Sequence, residues 1–296
     1  MPDRTPTRLA RLGDAIPPWT LAVTAMLSVQ LGSALSVGLI DVVGAGGTAW
    51  LRLTAGAVIF LVIARPPLRS IRRRDVLPLT GLGVATGLMT IAFLAAIERI
   101  PLGTAVAIEF LGPLTVAAVH SRRAIALAWP ALALVGVVLL TEPWQAHFDL
   151  VGIGFAALAG AGWGGYIVLT QRVGDRFTGI RALSITIPIA ALTAAIIGVP
   201  QAVGHITLEV VGIAIGLALL LPVVPFALEM LALRRMNPNA FGTLMAVEPA
   251  IGLLLGLIVL AQLPSILQVA GIALVVLAGA AAQWSSARRS PESVSA

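Results

Sequence analysis

The chain contains no cysteine and no lysine, and charged residues make up only 11% of its 296 residues. Without cysteine there is neither a disulfide framework nor a thiolate metal site. Without lysine there is no phosphate-binding loop of the Gly-Lys-Ser or Gly-Lys-Thr type, so the chain alone is not expected to use ATP. The three histidines, His120, His147 and His205, lack the spacing of metal ligands. We therefore expect no metal ion and no cofactor.

Apolar residues dominate what is present. They make up 58% of the chain and fall in windows of about 20 residues, the length at which a helix crosses a bilayer. Charge, proline or glycine bounds each window. The pattern predicts an all-α polytopic membrane protein with ten transmembrane helices. The predicted spans are residues 19–40, 46–64, 76–97, 101–120, 124–141, 151–171, 182–200, 209–233, 241–260 and 264–284.

Arginine is distributed unevenly between the two sides that these spans define. One side receives the cluster at residues 65–74 and the other loop arginines, and the opposite side receives only Arg99. The positive-inside rule then puts both termini in the cytoplasm, which accounts for the net charge of +6 without a nucleic-acid partner. Residues 1–18 are predicted to be a cytoplasmic segment before a retained first helix, and residues 285–296 a cytoplasmic tail.

Three carboxylates lie inside predicted spans: Glu109, Glu229 and Glu248. The other acidic residues, such as Glu142 and Asp149, are expected to reach water in loops or at helix ends. A charged side chain near the bilayer centre costs about 3 kcal/mol or more, so an ionisable residue there indicates function by default. The alternative for each is a structural ion pair or a hydrogen bond between helices. Glu229 lies closer to the cytoplasmic arginines than the other two.

The sequence repeats itself around two of these carboxylates. GTAVAIE ends at Glu109 and GTLMAVE ends at Glu248, and Thr243 of the second copy is a further candidate site residue. The copies lie five spans apart, so they enter the membrane from opposite sides. This predicts an inverted-topology repeat of two five-helix halves, residues 19–141 and 151–284. Such repeats place substrate and ion sites near the midplane between the halves.

Aromatic residues in the sixth span are candidates for one wall of a binding site. Trp163 and Tyr166, three residues apart, share a helix face. Gly160 and Gly164 around them allow a neighbouring helix to approach closely. Ordinary packing is the alternative interpretation of the two aromatic side chains.

Other polar groups and prolines inside spans are further candidates. Arg52 either binds an anion or extends to the lipid headgroups, since it lies near the predicted outer end of its span. Gln30 and Ser33 in the first span either bind a ligand or tie helices together. Pro222 and Pro225 each remove a helical hydrogen bond and are expected to bend the eighth span.

Three stretches resemble a known family: LEMLALRRMNPNAFGTLMAVEPAIGLL (residues 228–254), ERIPLGTAVAIEFLGPLTVAAVHSRR (98–123) and VQLGSALSVGLIDVVGAGGTAWLRLTAGA (29–57). They are similar to the bacterial threonine/homoserine exporter branch of the drug/metabolite transporter superfamily, which is built from two EamA-type repeats. The similarity runs from Trp19 to Trp284. It implies a ten-helix exporter of the bacterial inner membrane that uses the proton gradient to expel amino acids such as threonine and homoserine. In one departure from the pattern, Ala261-Gln262 stands where many EamA halves have Gly-Glu.

The candidate residues are chemically suited to such a mechanism. Glu109 or Glu248 can bind the ammonium group of an amino acid, and burial lets such a carboxyl group hold a proton and exchange it for a cation. Arg52 or the N-terminus of a broken helix can bind the carboxylate. The expected partners are an amino acid or related metabolite, protons and the lipid bilayer, and a homodimer is left open. The alternatives are another metabolite or drug as cargo, or a membrane enzyme or scaffold, although no cluster of His, Asp or Ser at a membrane face supports an enzyme.

Overall fold

A computed structural model describes residues 17–64, 71–120, 124–145, 149–173 and 180–287. Within these ranges the regular structure is helical and contains no β-strand. Eight helical stretches of the described chain are long and apolar enough to cross a bilayer, and one shorter apolar helix accompanies them. The protein is therefore an all-α polytopic membrane protein. Most of the predicted terminal segments, His147 and several loop arginines lie outside the described ranges.

The helix boundaries agree with most of the predicted spans to within a few residues. A 3₁₀ turn, Ala124–Leu127, precedes the fourth helix, and a π-helical turn, Leu219–Val223, joins the seventh to the eighth. The helices are α1 Pro18–Ala64, α2 Arg73–Ile97, α3 Leu102–His120, α4 Ala128–Thr141, α5 Leu150–Val173, α6 Ile180–Ala202, α7 Leu208–Ala218, α8 Val224–Leu233, α9 Pro238–Met245, α10 Glu248–Leu260 and α11 Ile266–Ala287.

Helix α1 contains a break that divides it into two segments. Its 47 residues correspond to about 70 Å at 1.5 Å per residue, roughly twice the thickness of a hydrocarbon core. Gly44 has φ of 73°, a conformation that glycine adopts readily, and it interrupts the helical geometry. The backbone N–H of Gly47 donates a hydrogen bond to Gln201 Oε1 of α6 at 3.1 Å, which satisfies one of the donors freed at the start of the second segment. The break falls where the first two spans were predicted to separate, and the count of ten crossings stays a prediction.

Two further helical stretches are interrupted, one as expected and one not. Between α7 and α8, Leu221 has extended backbone angles next to Pro222, as the prolines of this span predicted. Residues 241–260 were expected to form one helix, but the structure has a turn between α9 and α10, and α10 begins at Glu248. Pro249 lies in the first turn of α10. Backbone N–H groups in the first turn have no acceptor within the helix, so a proline, which lacks the N–H, is tolerated there. The second carboxylate therefore stands at a helix N-terminus.

Small residues bring the helices close together. Helix α1 packs on α6, α2 packs on α5 and α6, and α3 packs on α5 and α10. Where α4 crosses α11, a Cβ atom at Gly136 would lie 2.6 Å from the carbonyl oxygen of Gly271, and one at Gly271 would lie 2.6 Å from that of Gly136. Large apolar side chains such as Leu192 (72% exposed) and Ile196 (76% exposed) cover the outside. This distribution suits a surface that faces lipid.

Candidate functional site

A cavity of about 380 Å³ lies among the long helices. Eight of the nine candidate residues from the sequence line it: Gln30, Ser33, Arg52, Glu109, Trp163, Tyr166, Glu229 and Glu248. Thr243, the ninth, is not among the lining residues. Its place in the Gly-Thr pair that the two sequence copies share therefore does not put it at the cavity. The break between α9 and α10 follows Thr243 by a few residues, and Met245 and Glu248 reach the cavity from either side of it.

Glu248 is held by a hydrogen bond between distant parts of the chain. The Nε2 atom of Gln30 in α1 donates to Glu248 Oε1 at 3.1 Å, across 218 residues of sequence. Both side chains are buried, Gln30 with 2% and Glu248 with 5% of its surface exposed. Since Glu248 begins α10, the positive end of the helix dipole stabilises negative charge at this position. Gln30 thus does tie two helices together, and it does so at the carboxylate.

Glu109 has a different environment inside the continuous helix α3. The crossing of α3 and α5 is tight, because a Cβ atom at Gly160 would lie 2.8 Å from the carbonyl oxygen of Glu109. A Cβ atom at Gly112 would overlap the backbone of Gly160. Pro113, four residues after Glu109, has no N–H to donate to that carbonyl group. The expected close approach at Gly160 is therefore present, and it fixes the backbone that carries Glu109.

Arg52 is buried, which contradicts the alternative that it extends to the lipid headgroups. Only 4% of its surface is exposed, and its Nη1 atom donates to Ser36 Oγ at 3.3 Å, which joins the two segments of α1 across the break at Gly44. Among the described residues, the ion pairs within 4 Å are Arg74 with Asp75 and Arg99 with Asp149. The guanidinium group thus lines the cavity without a carboxylate in direct contact.

The ionisable groups of the cavity are close enough to influence one another. Glu109 lies within electrostatic range of both Arg52 and Glu248. Glu248 lies within range of Glu229, which in turn interacts with Tyr166. Arg52 is the only positively charged residue among the described residues that line the cavity. The cavity therefore combines one fixed cation with three carboxyl groups, a combination suited to a ligand that carries charges of both signs.

Aromatic side chains form part of the cavity wall. Trp163 lines the cavity and packs edge to face on Phe110 of α3, with 6.4 Å between the ring centroids. Phe226 of α8 lines it as well and packs edge to face on Phe60, at 6.3 Å. Ser33 also faces the cavity, although its hydroxyl group donates to the Val29 carbonyl group in its own helix at 2.9 Å. Trp163 and Tyr166 of the predicted sixth span thus line the cavity, and Phe226 of α8 lines it with them.

Several lining residues carried no signal in the sequence. Helix α2 contributes Thr86, Met89, Thr90 and Phe93. These residue types are common in transmembrane helices, and no charge, proline or repeat marks them. Only the packing of α2 against α5 and α6 shows that this face of the helix meets the cavity.

Glu142 contradicts the expectation that acidic residues at helix ends reach water. Only 6% of its surface is exposed, and its Oε1 atom accepts a hydrogen bond from Ser265 Oγ at 2.9 Å. Gln268 adds a second contact by donating from Nε2 to the Leu140 carbonyl group at 3.4 Å. These bonds join the end of α4 to the start of α11. Glu142 lies outside the cavity lining, so its burial serves the packing of these two helices.

The other polar groups of the described chain do not form a metal site. No cluster of three or more His, Cys, Asp and Glu side chains suited to a metal ion occurs in the described ranges. Gln262, which stands at the departure from the family pattern, accepts a hydrogen bond from the Leu102 N–H at 3.0 Å. It therefore caps the N-terminus of α3.

Comparison with known proteins gives consistent matches. Residues 150–281 match the EamA-like transporter family. The chain is 36% identical over 270 residues to the threonine/homoserine exporter RhtA of Escherichia coli strain K12, covering 88% of this chain and 89% of that protein. The identity and coverage are the same for RhtA of Salmonella typhimurium strain SL1344. A solved crystal structure that is 18% identical superposes with a TM-score of 0.59, over 91% of this chain and 99% of that one, which is evidence for the fold alone.

Proposed function

Because the chain belongs to the EamA-like transporter family, in the branch of the threonine/homoserine exporters, we propose that it exports small amino acids of this type by proton antiport. The curated relatives are exporters by name, which favours transport over the alternatives of a membrane enzyme or scaffold. The proposed location is the bacterial inner membrane, with both termini in the cytoplasm.

The observation that carries the proposal is the charge composition of the cavity. A zwitterionic amino acid needs a cation for its carboxylate and an anion for its ammonium group. Arg52 supplies the first, and Glu109, Glu229 and Glu248 supply the second. The volume of about 380 Å³ falls at the small end of the range of roughly 300 to 1,000 Å³ for ligand pockets, which suits a cargo of amino-acid size.

Proton coupling follows from the imbalance of charge in the same cavity. One guanidinium group cannot neutralise three ionised carboxylates, so the site favours an additional cation. That cation is a proton in one step of the cycle and the ammonium group of the cargo in another. Either cation reduces the charge imbalance that attracts the other, so proton and cargo occupy the cavity alternately. The fluxes are then opposite in direction, since the cargo leaves the site as the proton enters.

A flux assay in liposomes tests this proposal. Purified protein in vesicles with an acidic interior should accumulate radiolabelled threonine and homoserine, because protons leave as the cargo enters. A protonophore should abolish the accumulation. Accumulation driven by an acidic exterior would show symport instead of antiport. Uptake no faster than in protein-free vesicles would contradict the amino-acid cargo and leave another metabolite or drug as the substrate.

A further inference from the structure

Two side chains that line the cavity, Gln30 and Glu248, each have a buried oxygen atom without a hydrogen-bond partner. Gln30 and Glu248 use one atom each for the bond between them, and Gln30 Oε1 and Glu248 Oε2 remain unpartnered. In the described part of the chain only Thr48 Oγ1 and Thr54 Oγ1 share this state, and neither threonine lines the cavity. Buried polar atoms in folded proteins are nearly always satisfied, so these two oxygens are candidates to accept hydrogen bonds from a bound water molecule, ion or cargo.

The chemistry of the two side chains fixes which atoms stay free. The amide of Gln30 turns its NH₂ group towards Glu248, and an ionised Glu248 can only accept hydrogen bonds. The carbonyl oxygen of the amide is then left without a donor. Glu248 Oε2 is an acceptor as well. A cargo group that satisfies both oxygens needs two donor hydrogens, and a positive charge suits the carboxylate beside it.

We infer that Gln30 Oε1 and Glu248 Oε2 together form the subsite for the primary ammonium group of the cargo. A primary ammonium group has three N–H donors, enough for both oxygens, whereas a tertiary ammonium group has one. Gln30 is then a specificity-determining residue, because the affinity depends on how many N–H donors the nitrogen of the ligand carries. This inference rests on the proposed function and adds which of the carboxylates receives the ammonium group.

Glu109 lacks the features that suit Glu248 to this role. Among the described residues, no side chain or backbone group donates a hydrogen bond to the Glu109 carboxyl group, whereas Glu248 has an amide neighbour. Glu248 also stands at a helix N-terminus, where the helix dipole attracts negative charge. The ammonium group is therefore assigned to Glu248 with Gln30, and Glu109 is left free to exchange protons.

The test measures equilibrium binding of threonine, N-methylthreonine and N,N-dimethylthreonine to the purified full-length protein by calorimetry. N-methylthreonine keeps two N–H donors and should bind the wild type within about threefold of threonine. N,N-dimethylthreonine keeps one and should bind about tenfold more weakly, the loss expected for one charge-assisted hydrogen bond. Equal affinity for the two methylated forms would overturn the inference.

The variant Gln30→Met removes the amide at nearly constant length. It should weaken threonine binding about tenfold and reduce the difference between the two methylated ligands to about threefold or less. The matched control is Thr48→Val, which removes a buried unpartnered oxygen from the same helix outside the cavity and should leave all affinities unchanged.

The outcomes separate this inference from the proposed function. If Gln30 only ties α1 to α10, or if a water molecule occupies the two oxygens, Gln30→Met should leave the ratio between the methylated ligands as in the wild type. That result would overturn the subsite while the exporter function stands. A wild-type protein that binds no threonine at all would overturn the proposed function and the subsite with it. Should the variant fail to fold, the wild-type ligand series decides by itself.

Discussion

At the scale of single residues, the two repeated carboxylates have different neighbours. Glu248 begins a helix and accepts a hydrogen bond from Gln30, whereas Glu109 lies within a helix whose backbone is pressed against Gly160. Their shared sequence context therefore does not give them equal surroundings. This difference suggests that one carboxyl group receives the cargo while the other exchanges protons.

Replacing either carboxylate by glutamine should abolish proton-driven transport without unfolding the protein. Glutamine keeps the shape and hydrogen-bonding capacity of glutamate but cannot titrate, and a neutral amide costs less than a charge in the membrane. We expect Glu109→Gln and Glu248→Gln to show no accumulation under an imposed pH gradient. Thermal melting of the purified variants in detergent is the control. A structural ion pair would instead predict a large loss of stability, and wild-type flux in both variants would rule out the coupling mechanism.

Arg52 should determine affinity for the carboxylate of the cargo. Arg52→Met keeps a side chain that suits a buried site but removes the guanidinium group, so threonine should bind at least about tenfold more weakly. Threonine amide has no carboxylate, and its affinity should change by less than about threefold. Calorimetric titration of both ligands measures the difference. Equal losses for the two ligands would mean that Arg52 supports the fold, not the cargo.

Sequence reasoning identified the charged residues that line the cavity but not their hydrogen-bond partners. Glu109, Glu248 and Arg52 were identified because a charge inside an apolar span is costly, and that argument needs no structure. The bond between Gln30 and Glu248 joins residues 218 positions apart, so only helix packing reveals it. The burial of Glu142 was missed for the same reason, since Ser265 is its partner from the other end of the chain.

At the scale of helices, the crossing of α3 and α5 sets the position of Glu109. An alanine at Gly160 would place a methyl group 2.8 Å from the Glu109 carbonyl oxygen, which forces the helices apart. We expect Gly160→Ala to destabilise the protein by about 1–3 kcal/mol and to reduce transport. Gly154→Ala in the same helix is the matched control, because the space around that position is open. Equal melting temperatures for the two variants would show that α3 and α5 can move apart without loss of stability.

The N-terminus of α5 should give the protein a measurable acid sensitivity. Asp149 Oδ1 accepts the Gly152 N–H at 2.9 Å, and Oδ2 pairs with Arg99 at 3.0 Å. The backbone hydrogen bond from Gly152, followed by Arg99, lowers the pKa of Asp149 below its usual value. Because the folded pKa is lower than the unfolded one, this stabilisation is fully present above about pH 4 and is lost as the pH falls through the folded pKa.

Thermal melts of wild type and Asp149→Asn across pH measure this effect. At neutral pH the variant should melt at a lower temperature, since asparagine keeps the cap but loses the charge opposite Arg99. The two melting temperatures should begin to approach each other near pH 4 and converge as the pH falls through the lowered pKa of Asp149 in the folded protein. A constant difference at every pH would mean that the charge of Asp149 is not involved.

The helices themselves were largely predictable, and their breaks only partly so. Apolar windows of span length predicted where helices lie, and Pro222 marked the turn between α7 and α8. The turn before Glu248 was missed because Pro249 is compatible both with one continuous, bent helix and with the first turn of a new helix. The sequence does not show which of these two arrangements packs better against the neighbouring helices.

At the scale of the whole molecule, the orientation in the membrane stays a prediction from arginine placement. The absence of cysteine makes it directly testable, because a single introduced thiol has no background. Gln145→Cys, after α4, should react with a membrane-impermeant thiol reagent in intact cells. Asn237→Cys, between α8 and α9, should react only after the cells are opened. Both side chains are exposed, so the reversed pattern would invert the topology.

The reciprocal contact of Gly136 and Gly271 has the geometry of an interface between two identical subunits, in which each partner presents the same group to the other. In a homodimer, one mutation in the gene changes both sides of such a contact at once. Here the two sides are encoded separately, so a mutation changes one side and leaves the other intact. The surroundings of Glu109 and Glu248 are likewise encoded separately, so a mutation can change one without changing the other. A single chain can acquire Gln30 beside Glu248 without acquiring its equivalent beside Glu109, which a pair of identical subunits cannot do.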